Sequence, residues 1–417
     1  MKAWIAGVAL ALLASPLAAR TPEDVASAAL RAAPVWDGHN DVPEQVRGRR
    51  ADMLADFDFR DTTHEPDGRG GTSAMQTDLR RLRQGHVGAQ FWSVFVSADQ
   101  PEAQAVTQTV EQIDLLKRLV ARYPADMALA FSTADVERAV KQGRIASLIG
   151  MEGGHSIAGS LAVLRQMYAL GARYMTLTHY KTLAWADSAD DLPTHHGLTP
   201  LGEQVVREMN RLGMIVDLAH VSADTMRSAL RVSAAPVIFS HSNARAVVEE
   251  SRNVPDDVLR MLTANGGIVM VTGVADFVSP ERRLWLAERD AETARQKWLW
   301  QGDPDRVKAQ MASWLTAHPE PRTTVAQLAD HVDHIRQVAG IDHIGVGGDF
   351  DGWNAFPAEM PDVSGYPALF VELARRGYSQ ADLEKIASRN MLRVMHGVEA
   401  YAAAHGADPP IETPVVK

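Results

Sequence analysis

Short apolar runs alternate with longer amphipathic stretches along most of the chain. Residues 35–39, 87–96, 145–151, 174–178, 214–218, 236–240, 267–272 and 343–347 are the short, largely apolar runs, and each predicts a strand. Apolar positions recurring at helical spacing predict helices over 103–122, 161–170, 200–212, 223–231 and 324–339, with another opening at Pro255, where proline is tolerated. The strands are continuously apolar rather than alternating, as in a parallel sheet covered on both faces. Eight such strands, most followed by a helix, predict a closed α/β barrel of the (β/α)8 TIM-like class. An open doubly wound sheet is the competing arrangement, but no glycine-rich phosphate loop follows the first strand.

Two regions interrupt this rhythm. Residues 180–199 form a long polar loop rich in Asp and His. Residues 280–322 form a charged insertion before the last strand, predicted to be helical, with Trp285, Trp298, Trp300 and Trp314 packed inward. A helical tail over 366–405 is expected on the barrel exterior, with no part in chemistry. Residues 1–19 differ in kind: Lys2, an uncharged apolar run from Trp4 to Ala14, then small residues to Ala19. That pattern predicts a secretory signal peptide, too short to span a bilayer, and a secreted or periplasmic product. The domain reading is therefore a signal peptide at 1–19 and one catalytic barrel over 20–417.

Composition narrows the chemistry. The 46% apolar content allows a large core, and the net charge of −10 argues against a nucleic-acid surface. There is no cysteine, so disulfides, thiolate ligands and a cysteine nucleophile are excluded, and any metal falls to His, Asp and Glu. The polar C-terminus predicts no lipid-linked anchor, and no stable membrane anchor is expected.

The candidate groups sit where predicted strands end. His39 and Asp41 follow the first strand, Glu152 the third, His179 the fourth, His220 the fifth, His241 the sixth and Asp349 the eighth. In a barrel the C-terminal strand ends converge on one mouth. A lone His at a strand end is ordinarily structural; seven metal-competent groups at six strand ends point to one site. Imidazole and carboxylate ligands suit catalytic zinc, and also manganese or cobalt. Glu152 has two oxygens and can bridge two ions, which at a separation of about 3.5–4 Å hold a hydroxide between them. Other histidines read as structural or surface groups: His155 beside the site, His331 and His334 on a polar helix face, His195 and His196 in the loop.

These segments resemble the renal-type (membrane) dipeptidases, zinc peptidases of the metal-dependent hydrolase barrels. The likeness rests on Asp37-Gly38-His39-Asn40-Asp41, Gly150-Met151-Glu152-Gly153-Gly154-His155-Ser156 and Leu177-Thr178-His179. It continues through Asp217-Leu218-Ala219-His220-Val221-Ser222, Phe239-Ser240-His241-Ser242, Arg252-Asn253-Val254-Pro255-Asp256 and Gly347-Gly348-Asp349-Phe350-Asp351-Gly352. The resemblance implies two Zn2+ per chain. His39 and Asp41 would hold the first, His220 and His241 the second, with Glu152 between them. It also implies that His179 stabilises charge at the scissile carbonyl of a dipeptide, that Arg252 grips the substrate's C-terminal carboxylate, and that Asp349 shuttles the proton. A homodimer is a further implication. The competing readings are an amidohydrolase or deaminase acting on a non-peptide amide, and a non-catalytic binding protein on the same barrel. Those hydrolases typically open with His-x-His and bridge through a modified lysine, whereas His39-Asn40-Asp41 and Glu152 stand here.

Overall fold

The structure is a computed structural model that describes residues 20–412; the predicted signal peptide lies outside the described residues. Eight parallel strands carry the fold: β1 (Val35–Asn40), β2 (Val87–Phe95), β3 (Ile145–Glu152), β4 (Ala172–Thr176), β5 (Ile215–Asp217), β6 (Ile238–Phe239), β7 (Ile268–Val271) and β8 (Ile344–Val346). Each pairs with the next in sequence, and β8 returns to β1 through Asp37 opposite Val346. The sheet therefore closes as a (β/α)8 barrel, which removes every exposed edge from the ring. A further short strand, Met127–Leu129, adds to β3 and was not apparent from the sequence. It is only three residues long, so no periodicity distinguishes it from the end of the preceding helix.

Alternation along each strand separates two cores. On β3, Ile145, Ile149 and Met151 face the surrounding helices, while Ala146 and Leu148 face the barrel axis. The axial layer continues through Trp36, Phe91, Tyr174, Ile215, Ile238 and Met270. This apolar filling lies below the strand ends that carry His39, Glu152, His220 and His241, and it leaves the C-terminal mouth for polar groups.

The tail corrects one expectation. Helix Tyr366–Arg375 packs on the exterior, against helix Pro22–Ala32. Helix Asn390–Ala404 instead closes the lower end of the barrel: Met391, Val394, Met395 and Val398 join the axial core. Their spacing is an ordinary amphipathic stripe, and nothing local distinguishes a barrel plug from an exterior helix. Asn390 anchors the plug by donating to the Ile341 and Ile344 carbonyls, both at 2.8 Å.

The insertion is helical as expected, over Pro280–Leu299 and Pro304–Ala317. Its tryptophans are not all packed inward. Trp285 is buried and donates to the His318 carbonyl at 2.9 Å, but Trp298 is 75% exposed. His331 also departs from its surface reading. It is fully buried, accepting from the Ala244 N–H at 3.1 Å and facing the Val278 carbonyl at 3.2 Å. His334 pairs with Asp256 at 2.7 Å.

Candidate metal centre and substrate chamber

Glu152 is the last residue of β3 and continues its axial face beyond Ala146, Leu148 and Gly150. Gly150 is required there, because a Cβ would run into the Tyr174 ring. The two Glu152 oxygens face different partners. Oε2 lies 3.4 Å from His39 Nε2, and Oε1 lies 2.9 Å from His220 Nε2 and 3.6 Å from His241 Nε2. Asp41 Oδ2 stands 3.4 Å from His39 Nε2 on the far side, and His220 and His241 bring their Nε2 atoms within 2.9 Å. His179 Nε2 is 3.5 Å from Glu152 Oε1, and its ring stacks close to that of His220. Asp349 shares a potential ligand cluster with His39 and Asp41. All seven groups singled out at the strand ends thus meet at one mouth. Distance alone does not divide His179 from its neighbours as a ligand.

Backbone strain holds part of this arrangement. His220 and Asp349 have φ of +65° and +61°, values that side-chain-bearing residues rarely adopt and that cost roughly 1–3 kcal/mol each. Gly352 follows, and a Cβ there would collide with both Asp349 and Asp41 carboxylates.

Hydrogen bonds behind the cluster set which imidazole nitrogen faces the centre. His39 Nδ1 meets the Tyr174 hydroxyl at 2.8 Å, leaving Nε2 inward. His241 Nδ1 meets Ser240 Oγ at 2.8 Å, and that hydroxyl donates to Asp217 Oδ2 at 2.6 Å, so His241 is the donor in its own contact. Thr176 also donates to Asp217 at 2.6 Å, which ties β4, β5 and the end of β6 together behind the site. Such outer contacts fix tautomer and ring orientation. Sequence reasoning passed over Tyr174, Ser240 and Asp217. Their strand positions were legible, but their partners lie on other strands.

Electrostatics suit a cation. Burial holds the His220 and His241 imidazoles well below their ordinary range, so their lone pairs are free. Burial alone would push the Glu152 carboxyl up; His39 and His179 outweigh it and hold the group well below the usual carboxylate range. Asp349 goes the other way, raised by burial and by the charges of Asp41 and Glu152. His39 Nε2 and Asp41 Oδ2 are buried with no hydrogen-bond partner. Unpaired buried polar atoms of this kind are costly unless an ion satisfies them. The donor set of imidazole nitrogens and carboxylate oxygens therefore fits a divalent metal, with Glu152 offering one oxygen to each half of the cluster.

The cluster floors a cavity of about 650 Å³, within the range of small-molecule sites. Arg252 enters its wall, 2% exposed, with its guanidinium 5.3 Å from the Phe277 ring centre. Its nearest carboxylate, Asp190, is 3.9 Å away, and its Nε and Nη1 have no hydrogen-bond partner. Asn253 pins the loop beneath by donating to the Val248 and Phe277 carbonyls, both at 3.0 Å. The 180–199 loop contributes Tyr180 and Asp190 to the wall, and insertion helix Pro280–Leu299 contributes Arg283, Leu286 and Ala287. His195 turns away, to the Leu183 carbonyl at 2.9 Å, and His155 is buried against the Val96 carbonyl at 2.8 Å.

Comparison with known proteins agrees with this geometry. The profile of "Membrane dipeptidase (Peptidase family M19)" matches residues 23–408. An uncharacterised dipeptidase of Schizosaccharomyces pombe is 41% identical over 407 residues, covering 94% of this chain and 87% of its own. Human dipeptidase 3 is 40% identical over 392 residues, covering 93% of this chain and 70% of its own. Among solved structures, the probable dipeptidase PvdM from Pseudomonas aeruginosa superposes with a TM-score of 0.75 at 25% identity, covering 91% of this chain and 99% of its own. A Rhodobacter sphaeroides metallopeptidase, solved with a phosphinate mimic of L-Ala-D-Ala, shares the fold at a TM-score of 0.70 and 22% identity, over 88% of this chain and 99% of its own. The family match decides against the amidohydrolase, deaminase and binding-protein alternatives. The chain belongs to the membrane dipeptidase family, peptidase family M19, and is a metallo-dipeptidase on a (β/α)8 barrel.

Proposed function

We propose that this dipeptidase works with two zinc ions, one held by His39 and Asp41, the other by His220 and His241, with Glu152 shared between them. The observation that carries the reading is the split of the Glu152 oxygens, Oε2 toward His39 and Oε1 toward His220, at the floor of a chamber that also receives Arg252. When bound, zinc ions here supply a water that ionises near neutral pH and polarise the scissile carbonyl.

The chain's own residues do the rest. Arg252 binds the free carboxylate of the dipeptide through its planar guanidinium, whose Nε and Nη1 are otherwise unpaired and whose N–H groups suit that anion. Its near-total burial makes the contact strong, because water does not compete for it. His179 faces the carbonyl and stabilises negative charge as it develops on the oxygen. Asp349 receives a proton from the attacking water and returns it to the leaving amine; its raised affinity for protons suits both halves of that transfer. Residues 1–19 direct export to the periplasm or beyond, as their charge and hydropathy pattern supports.

A chelation experiment tests the metal reading. Purified protein stripped with a chelator should lose dipeptide hydrolysis and regain it with added zinc, at about two ions per chain. Activity indifferent to chelation, or full recovery at one ion per chain, would overturn it.

A further inference from the structure

Glu44 is a chamber-wall carboxylate that the mechanism above leaves unused. It sits in the first turn of helix Val42–Arg50, three residues beyond Asp41, so both side chains lie on one helix face. An acidic residue in a first turn is ordinarily explained by the helix dipole or by a capping box. Neither accounts for this one fully. Glu44 makes no hydrogen bond or ion pair among the described residues, and it lines the substrate cavity.

The other acidic residues of the wall are already committed. Asp190 faces Arg252 and Ser251; Glu250 pairs with Arg283; Asp276 binds Arg282 and accepts from Trp353 Nε1 at 3.0 Å. Outside the metal cluster, Glu44 alone among the described lining carboxylates lacks a cation. Glu44 is one helical turn from Asp41, whose carboxylate faces His39, whereas Arg252 stands beside Asp190 and Phe277. Glu44 and Arg252 therefore occupy separate parts of the chamber wall. A short peptide whose carboxylate reaches Arg252 and whose scissile bond lies over the cluster carries its amino-terminal residue toward Glu44.

Resting on the dipeptidase reading, we propose that Glu44 is a specificity residue that binds an ammonium group on the substrate's amino-terminal residue. Two sources share that chemistry: the α-ammonium of any dipeptide, and the side chain of a first-position lysine. An uncompensated half-buried carboxylate favours a cation and disfavours an acidic first residue, which supplies selectivity as well as affinity.

Zinc-loaded wild type and Glu44→Gln are compared on Ala-Ala, Lys-Ala, Glu-Ala and N-acetyl-Ala-Ala. Loss of one charge-assisted hydrogen bond should lower kcat/KM by roughly ten- to a hundredfold, expressed mainly in KM. An equal loss on Ala-Ala and Lys-Ala, with the acetylated substrate unaffected, assigns the α-ammonium. A loss confined to Lys-Ala assigns the side chain. Unchanged ratios across all four substrates, or the same loss on the acetylated one, overturn the proposal. Glu44→Lys gives a second reading: it should reverse the order and make Glu-Ala the preferred substrate of that pair. A wild type that cleaves none of the four would instead overturn the dipeptidase reading, leaving the two failures distinct.

Discussion

At the scale of single residues, the site separates groups that must be charged from groups that must be free to exchange a proton. Glu152 is held ionised between imidazoles, while Asp349, 8% exposed and crowded by Asp41, is pushed toward its protonated form. Two substitutions exploit that contrast. Glu152→Gln keeps the shape but removes the charge shared across the cluster. Asp349→Asn keeps the left-handed backbone, which Asn tolerates better than most residues, and removes only the proton carrier. Each should lower kcat by roughly 10²-fold or more with little change in melting temperature. Full turnover by either purified variant would contradict its assigned role. Most of these residues were legible in the sequence, since motif and strand end coincided. Glu44 and Ser240 were not, because a side chain's role as wall or tautomer-setter depends on what faces it across the mouth.

Elements divide the labour between the two ends of the barrel. The mouth is polar and strained, whereas the lower end is filled by apolar side chains and closed by helix Asn390–Ala404. Met395 is buried in that plug, far from the chamber. Met395→Ala should therefore destabilise the fold by about 2–5 kcal/mol while leaving kcat/KM of the folded enzyme unchanged. Denaturant unfolding and steady-state assays on one preparation would check both halves. A variant with native stability would mean that the plug is not a load on the barrel core. The insertion behaves differently: helix Pro280–Leu299 forms a wall of the chamber, so its sequence bears on the substrate's surroundings rather than on the barrel core.

For the whole molecule, stability should fall on the acid side for an identifiable reason. Burial holds His331 down to about 4, and its neutral ring both accepts from Ala244 and faces the Val278 carbonyl. The unfolded imidazole titrates near 6.5. Above that value the contribution is fully present; as pH falls from about 6.5 toward 4 the unfolded chain takes up a proton that the fold refuses, and about 3 kcal/mol is lost. His331→Gln should shrink the difference in unfolding free energy between pH 7.5 and pH 4.5 by about that amount. An identical acid loss in the variant would assign it to other groups.

By itself the sequence determined the barrel, since continuous apolar strands separated by amphipathic helices have few other ways to cover both faces of a sheet. It also determined the ligand types, because a chain without cysteine leaves His, Asp and Glu. Only the tertiary structure decided which Glu152 oxygen faces which imidazole, that the last helix plugs the barrel, that His331 is buried, and that Glu44 stands uncompensated in the wall. Those facts depend on contacts between strands and helices distant in sequence, and periodicity carries no record of which distant element a face will meet.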